Sequence, residues 1–370
     1  MKDRREHSGL LPSAAALFYP PVGKSLALCV AAGFVCSLLH IPLPWMVGPL
    51  LAMALGGLGG AALGAPRGGQ QAGQWLIGTA LGLYFTPPVL RAVVQHADSM
   101  LFAALAAMAL GYANAFFVAH FARIDKTTAF FGSVPGGAAE MTLLGDRFGA
   151  SGERVALAQS LRILLVVVII PPLFTFSGVS GTDSYTPAAI PVAPLKLLLL
   201  LLITAAAGAL MFRLRLPNAW VLGPLLPAIA LTASEVHLSA IPAELTNTAQ
   251  LLIGCSLGAR FGPKFLRGAP RYLVTVFLST LLGMAAAAFL ALAIAWWSGL
   301  SPATMILATA PGGVAEMCIT AKVLHLGVPM VTAFHVMRLL ILTTLTGAVF
   351  RHVRRWRHRR ARKKPGPKHS

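Results

Sequence analysis

The chain has 370 residues, 56% of them apolar and only 11% charged, with a mean hydropathy of +0.75. That leaves too little polar surface for a soluble protein of this length, and long apolar runs between short loops are the mark of spanning helices. The formal charge of +19 misleads as a global figure, because ten of the thirty Lys and Arg lie between Arg351 and Ser370, and without them +9 remains.

Residues 1–21 are expected to form a cytoplasmic N-terminal segment; its start, Met1-Lys2-Asp3-Arg4-Arg5, carries no cleavable-looking signal. Spans are predicted near 22–40, 45–64, 71–87, 100–121 and 154–177, then near 195–212, 219–235, 246–262, 272–297 and 330–349. A weaker, interrupted segment precedes the last span of each set, at 127–148 and 302–324. The division is therefore membrane repeat 1 over 22–178, an external linker over 179–194, membrane repeat 2 over 195–350 and a basic cytoplasmic tail over 351–370. Cys29, Cys36, Cys255 and Cys318 lie in apolar segments without metal-ligand spacing and read as small membrane-helix residues.

The division rests on duplication. Pro135-Gly136-Gly137-Ala138-Ala139-Glu140-Met141 returns 176 positions later as Pro311-Gly312-Gly313-Val314-Ala315-Glu316-Met317. At that offset Gln74, Gly78, Gly82, Phe85 and Pro87 fall on Gln250, Gly254, Gly258, Phe261 and Pro263. Arg162 falls on Arg338, and Gln159 on His335. One residue less puts Trp45-Met46-Val47-Gly48-Pro49-Leu50-Leu51 on Trp220-Val221-Leu222-Gly223-Pro224-Leu225-Leu226. Such agreement in glycine, proline and charge marks an internal repeat.

Loop charge chooses the topology. Twelve spans result if each weak segment crosses, and ten if each dips in and returns; an odd five per repeat then turns the second repeat upside down. The 178–187 linker has no Lys or Arg and belongs outside, whereas the loops with Arg213/Arg215 and Arg260/Lys264/Arg267/Arg271 belong inside. Ten spans with the N-terminus inside satisfy all of these, and also put Arg123, Lys126 and the tail inside; Arg91 and Lys322 dissent. The expected fold is thus all-α and integral to the membrane: about ten transmembrane helices as two inverted repeats of five, each with a re-entrant broken segment at Pro-Gly-Gly.

The doubled motif is the candidate site. Unwound backbone at membrane depth must line a cavity or be buried in protein. Proline removes a donor and glycine permits close approach, so Pro135-Gly136-Gly137 and Pro311-Gly312-Gly313 supply such breaks. The helices that follow would aim N-terminal N–H groups into the break, with Glu140 and Glu316 in their first turns. Midplane breaks from opposite faces are where secondary transporters bind substrate and coupling ions. Ionisable groups at this depth point to function, with Arg162 and Arg338 as the expected partners of the glutamates, although bridges that only hold the breaks in shape would also account for them. Gln159 and His335 flank the arginines. Asn114 reads as a hydrogen bond between helices, Trp45 and Trp220 as interface anchors, and Pro171-Pro172 as a kink or end of a span.

Together the two Pro-Gly-Gly-x-Ala-Glu-Met motifs, the two Trp-x-x-Gly-Pro-Leu-Leu motifs and the Gln159/Arg162 and His335/Arg338 pairs resemble the AbrB membrane-protein family. The resemblance runs from about residue 22 to 350 and does not extend to the small soluble DNA-binding regulator of the same symbol. It brings two labels, regulation of gene expression and ammonia monooxygenase. Copper–oxygen chemistry would need clustered ligands, and the ten histidines are scattered, so no enzyme, no metal and no cofactor is expected.

Two functions stay open. One is a secondary transporter or permease for a small polar or ionic solute, bound with any coupling ion at Glu140, Glu316 and the two breaks. The other is a membrane-bound regulator of gene expression that senses a metabolite in the same cavity. The expected setting is a bacterial inner (plasma) membrane, multi-pass, with both termini cytoplasmic. The lipid bilayer is the partner of the spans, and the tail is a partner for anionic lipid at about 1 kcal/mol per basic residue; no direct nucleic-acid contact is expected.

Overall fold

The computed structural model describes residues 20–179, 181, 190–263 and 270–362. Among these there are helices and no strands. In chain order they are α1 Pro20–Leu38, α2 Pro44–Leu58, α3 Gly69–Gly82, α4 Pro87–Gln95, α5 Ala97–Ala122, α6 Lys126–Ser133, α7 Ala138–Arg147 and α8 Gly152–Phe176. There follow α9 Pro194–Arg213, α10 Ala219–Ala233, α11 Ala243–Gly258, α12 Pro270–Ser298, α13 Pro302–Thr309, α14 Val314–Val323 and α15 Val328–Arg362.

Among the described residues five helices are long and apolar enough to cross a bilayer: α5, α8, α9, α12 and residues 328–348 of α15. The other expected spans are shorter than the hydropathy suggests. Residues 22–38, α2 and α10 are apolar but short, and a 15-residue helix reaches about 22 Å against a hydrocarbon core of about 30 Å. The expected 71–87 span stops at Gly82 and turns through 95° into α4. Pro87 and Pro88 start α4, where their missing N–H groups cost nothing. Pro171 and Pro172 lie inside α8, which runs on to Phe176. The last helix, α15, continues past residue 350 to Arg362 through residues that favour helix, before Pro365. Most of the 1–21 segment and of the 179–194 linker lies outside the described residues.

The packing sorts the helices into two groups. The first contains α1, α2, α3, α9, α10 and α11; the second contains α5 to α8 and α12 to α15; few contacts cross between them. Each group draws on both halves of the sequence. In the first, α2 packs on α11 and α3 on α10, so counterparts exchange partners. Glycine makes this possible: a Cβ on Gly78 would stand 2.6 Å from the Val221 carbonyl oxygen, and one on Gly254 would meet that of Met46. Trp45 and Trp220 lie over Gly33 and Gly208, so they also fill helix-packing grooves.

Counterpart helices that touch run antiparallel. On α3, Gly69 faces Leu252 and Ser256 of α11, whereas Gly73 faces Ala249 and Ile253. Along α5, Phe102 meets Trp297 of α12 at 5.8 Å between ring centroids, Asn114 Nδ2 donates to the Ser279 carbonyl at 3.2 Å, and the Phe121 carbonyl accepts from Arg271 Nε at 2.6 Å.

Both interrupted segments are helical hairpins. The Asp125 carboxylate caps α6 by accepting the Thr128 N–H at 2.8 Å. The segment then returns to its start, where Ser151 N–H donates to Thr128 Oγ1 at 2.9 Å and Phe131 stacks on Phe148 at 5.8 Å. In the second hairpin a Cβ on Gly327 would stand 3.1 Å from Thr304 Cγ2, the same closure 176 positions on. The mouths open at opposite ends of α8. Its N-terminus follows Ser151, and beyond its C-terminus Gly181 N–H donates to the Leu324 carbonyl at 3.1 Å. Running the other way, α15 starts at the second mouth and carries Phe350 to within 5.0 Å of Phe148 at the first.

Candidate functional site

The hairpin tips are built by chain breaks. Val134 and Ala310 leave the helical conformation as C-caps of α6 and α13, and Pro135 and Pro311 follow them. The last carbonyls of each short helix therefore have no intrahelical donor, and buried orphans cost about 1–3 kcal/mol each. Side chains from α8 and from the first third of α15 supply the donors. Gln159 Nε2 donates to the Phe131 carbonyl at 2.8 Å and to that of Val134 at 3.0 Å. At the equivalent place His335 Nε2 donates to the Leu307 carbonyl at 3.0 Å, which makes it the protonated nitrogen and leaves buried Nδ1 without a partner among the described residues.

The arginines continue the pattern. Arg162 Nη1 donates to the Val134 carbonyl at 3.3 Å, Nη2 to Gln159 Oε1 at 2.6 Å, and Nε to the carbonyl of Pro311 on the other hairpin at 3.0 Å. Arg338 donates through Nη1 to the Ala310 carbonyl and through Nη2 to that of Gly312 at 2.6 Å. Both are buried, at 7% and 6% exposure, so they are held by peptide dipoles rather than by water. Each guanidinium has five N–H groups, and these bonds leave some of them unused.

Among the described residues neither glutamate forms an ion pair with Arg162 or Arg338, contrary to the expected pairing; their guanidinium groups are taken by carbonyls and Gln159. Each folds back over the start of its own helix, Glu140 over Gly137 and Glu316 over Gly313, and a Cβ on either glycine would collide with the carboxylate. These are the N-cap and third positions of α7 and α14, from which an acidic side chain reaches back over a helix start. Glu140 Oε1 also accepts the Asn218 N–H at 3.0 Å; Asn218 is the left-handed residue before α10. Asn218 escaped the sequence reading because its backbone, not its side chain, makes the contact.

The two halves of the site differ in exposure. Glu140 is half-buried and Glu316 is 6% exposed; on the same helices Leu143 is 58% exposed and its counterpart Ile319 is 2%. Gln250 is buried with Oε1 unpartnered among the described residues. Asn114 holds α5 to α12, as expected of it. His325 lies in the turn before α15, apart from His335. No three His, Cys, Asp or Glu side chains gather among the described residues.

The site thus joins the residues that the duplicated motif singled out: Gln159, Arg162, His335, Arg338 and both Pro-Gly-Gly breaks. A protein of Bacillus subtilis (strain 168) named "Uncharacterized protein YhjN" is 29% identical over 353 residues, covering 88% of this chain and 91% of that protein. The "Putative regulator AbrB" of Escherichia coli (strain K12) is 25% identical over 331 residues, covering 89% of this chain and 94% of that protein. The family described as "Transition state regulatory protein AbrB" matches residues 45–354, a stretch that includes both hairpins and both arginines, and the chain belongs to that family.

Proposed function

We propose that the protein is a secondary transporter or permease for a small polar or ionic solute, with its binding site between the two hairpin tips. The observation that carries this reading is the Arg162 guanidinium, which bonds the tips of two hairpins whose mouths lie at opposite ends of α8. A site reachable from either end, closed by a few hydrogen bonds, is what alternating access requires. Antiparallel counterpart helices and hairpins that return to their starting side support two inverted repeats of five spans each; the loop charges place both termini in the cytoplasm, and the reading sets the chain in a bacterial inner membrane. The moving parts in this reading are the two packing groups, each drawn from both repeats, rather than one repeat against the other.

The test is reconstitution in proteoliposomes on a solid-supported membrane, challenged with panels of organic acids, amino acids, phosphate and inorganic cations. A solute-dependent current or uptake that disappears in Glu316→Gln supports transport. Saturable binding of a metabolite with no flux would overturn it in favour of the second reading, a membrane-bound regulator, which the name of the Escherichia coli relative favours.

A further inference from the structure

Where the second hairpin opens, a cleft of about 110 Å³ separates the two packing groups. Tyr84 and Thr86, which follow α3, line one side, and His237 and Ser239, which follow α10, another. Lys322, at the end of α14, closes it from the hairpin group. The space holds several water-sized groups.

Charge gives the cleft its character. Its lining contains Lys322 and no Asp or Glu; Glu235, between the lining residues Thr232 and Val236, is exposed outside it. Lys322 is half-buried, and the described residues provide it with neither a hydrogen bond nor an ion pair. A half-desolvated ammonium that the described residues leave without a counter-charge is relieved by an anion. The molecule supplies its own control. At the equivalent place on α7 stands Asp146, exposed near the mouth of the first hairpin, so the hairpin fold does not itself demand a cation there.

We propose that this cleft is a binding site for a small oxyanion of the carboxylate or phosphate class, held by Lys322, the Thr86 hydroxyl and the His237 imidazole. The bound anion touches both packing groups, so its binding favours whichever relative position of the groups keeps those contacts. The site does not depend on the transport reading, but it names the charge of the solute if that reading holds.

The experiment places Thr86→Cys in a Cys36→Ser background, since the other three native cysteines are buried. It compares modification rates by a negatively charged sulfonatoethyl and a positively charged trimethylammonioethyl methanethiosulfonate. The anionic reagent is expected to be favoured, and Lys322→Gln to lower the rate ratio by about tenfold, the lower end of electrostatic steering into a charged cleft. Lys322→Arg keeps the ratio, which separates charge from misfolding. Inorganic phosphate or acetate is expected to protect the cysteine saturably with Lys322 present and not in Lys322→Gln. An unchanged ratio in Lys322→Gln, or no protection by either anion, overturns the proposal. Protection without flux in proteoliposomes leaves the site standing and removes the transport reading alone.

Discussion

Arg162 Nε donates to the carbonyl oxygen of Pro311 at 3.0 Å, tying the middle of α8 to the tip of the opposite hairpin. Its counterpart Arg338 bonds only within its own hairpin, to Ala310 and Gly312, among the described residues. Two halves with the same motif therefore stand in different states, and the same difference shows in the burial of α14 against the exposure of α7.

Replacement of Arg162 by Lys should be the more damaging of the two arginine substitutions. Lysine keeps the charge but cannot hold three acceptors in a planar fork. The Pro311 carbonyl and Gln159 Oε1 then lose their donor, while the Val134 carbonyl keeps that of Gln159, for an expected loss of about 2–4 kcal/mol. Arg338→Lys, with two acceptors at stake, should lose less. Thermal unfolding of both variants in detergent checks the order, and equal losses would mean that the bond to Pro311 contributes nothing.

Gly313→Ala should destabilise the chain because its Cβ occupies the space of the Glu316 carboxylate. Adding Glu316→Ala should recover part of the loss, with a coupling of about 1–2 kcal/mol in a double-mutant cycle. The same cycle at Gly137 and Glu140 should give less, since Glu140 is half-buried and has room to move. A cycle with no coupling at either pair would show that the carboxylates do not pack over these glycines.

Cysteine at the Leu143 position should react readily with a small maleimide, and cysteine at the Ile319 position should resist, following exposures of 58% and 2%. If the protein alternates between states, a transported solute should raise reactivity at Ile319→Cys. Constant protection there under every solute that produces flux would argue against exchange of the two hairpin environments.

The hairpin mouths should be labelled from opposite sides of the membrane. An impermeant maleimide is expected to reach Phe148→Cys only in inside-out vesicles and Gly181→Cys only in right-side-out cells. Labelling of both from one side would remove the inverted arrangement and restore twelve crossings as the simpler account.

Much of this was legible in the residues because duplication compares the chain with itself. The Pro-Gly-Gly breaks were visible, since proline and glycine act locally on the backbone. So were the hairpin ends, as polar interruptions of apolar runs. The lengths of α2, α3 and α10 were not visible, because hydropathy counts apolar residues and does not report where a helix stops or bends. Lys322 looked like an exception to the loop charges, and only the structure shows the cleft that it lines.

Sequence alone determined that the chain is a membrane protein of two similar halves, each broken once by Pro-Gly-Gly with a glutamate behind the break. These follow from composition, periodicity and residue chemistry, which are properties of short stretches. Tertiary structure decided which groups meet. It set the arginines on the carbonyls rather than on the glutamates, drew each packing group from both halves, and buried Glu316 while leaving Glu140 half open. Such choices depend on contacts between residues as far apart as Arg162 and Pro311, where a buried guanidinium takes whichever acceptors the packing brings within reach.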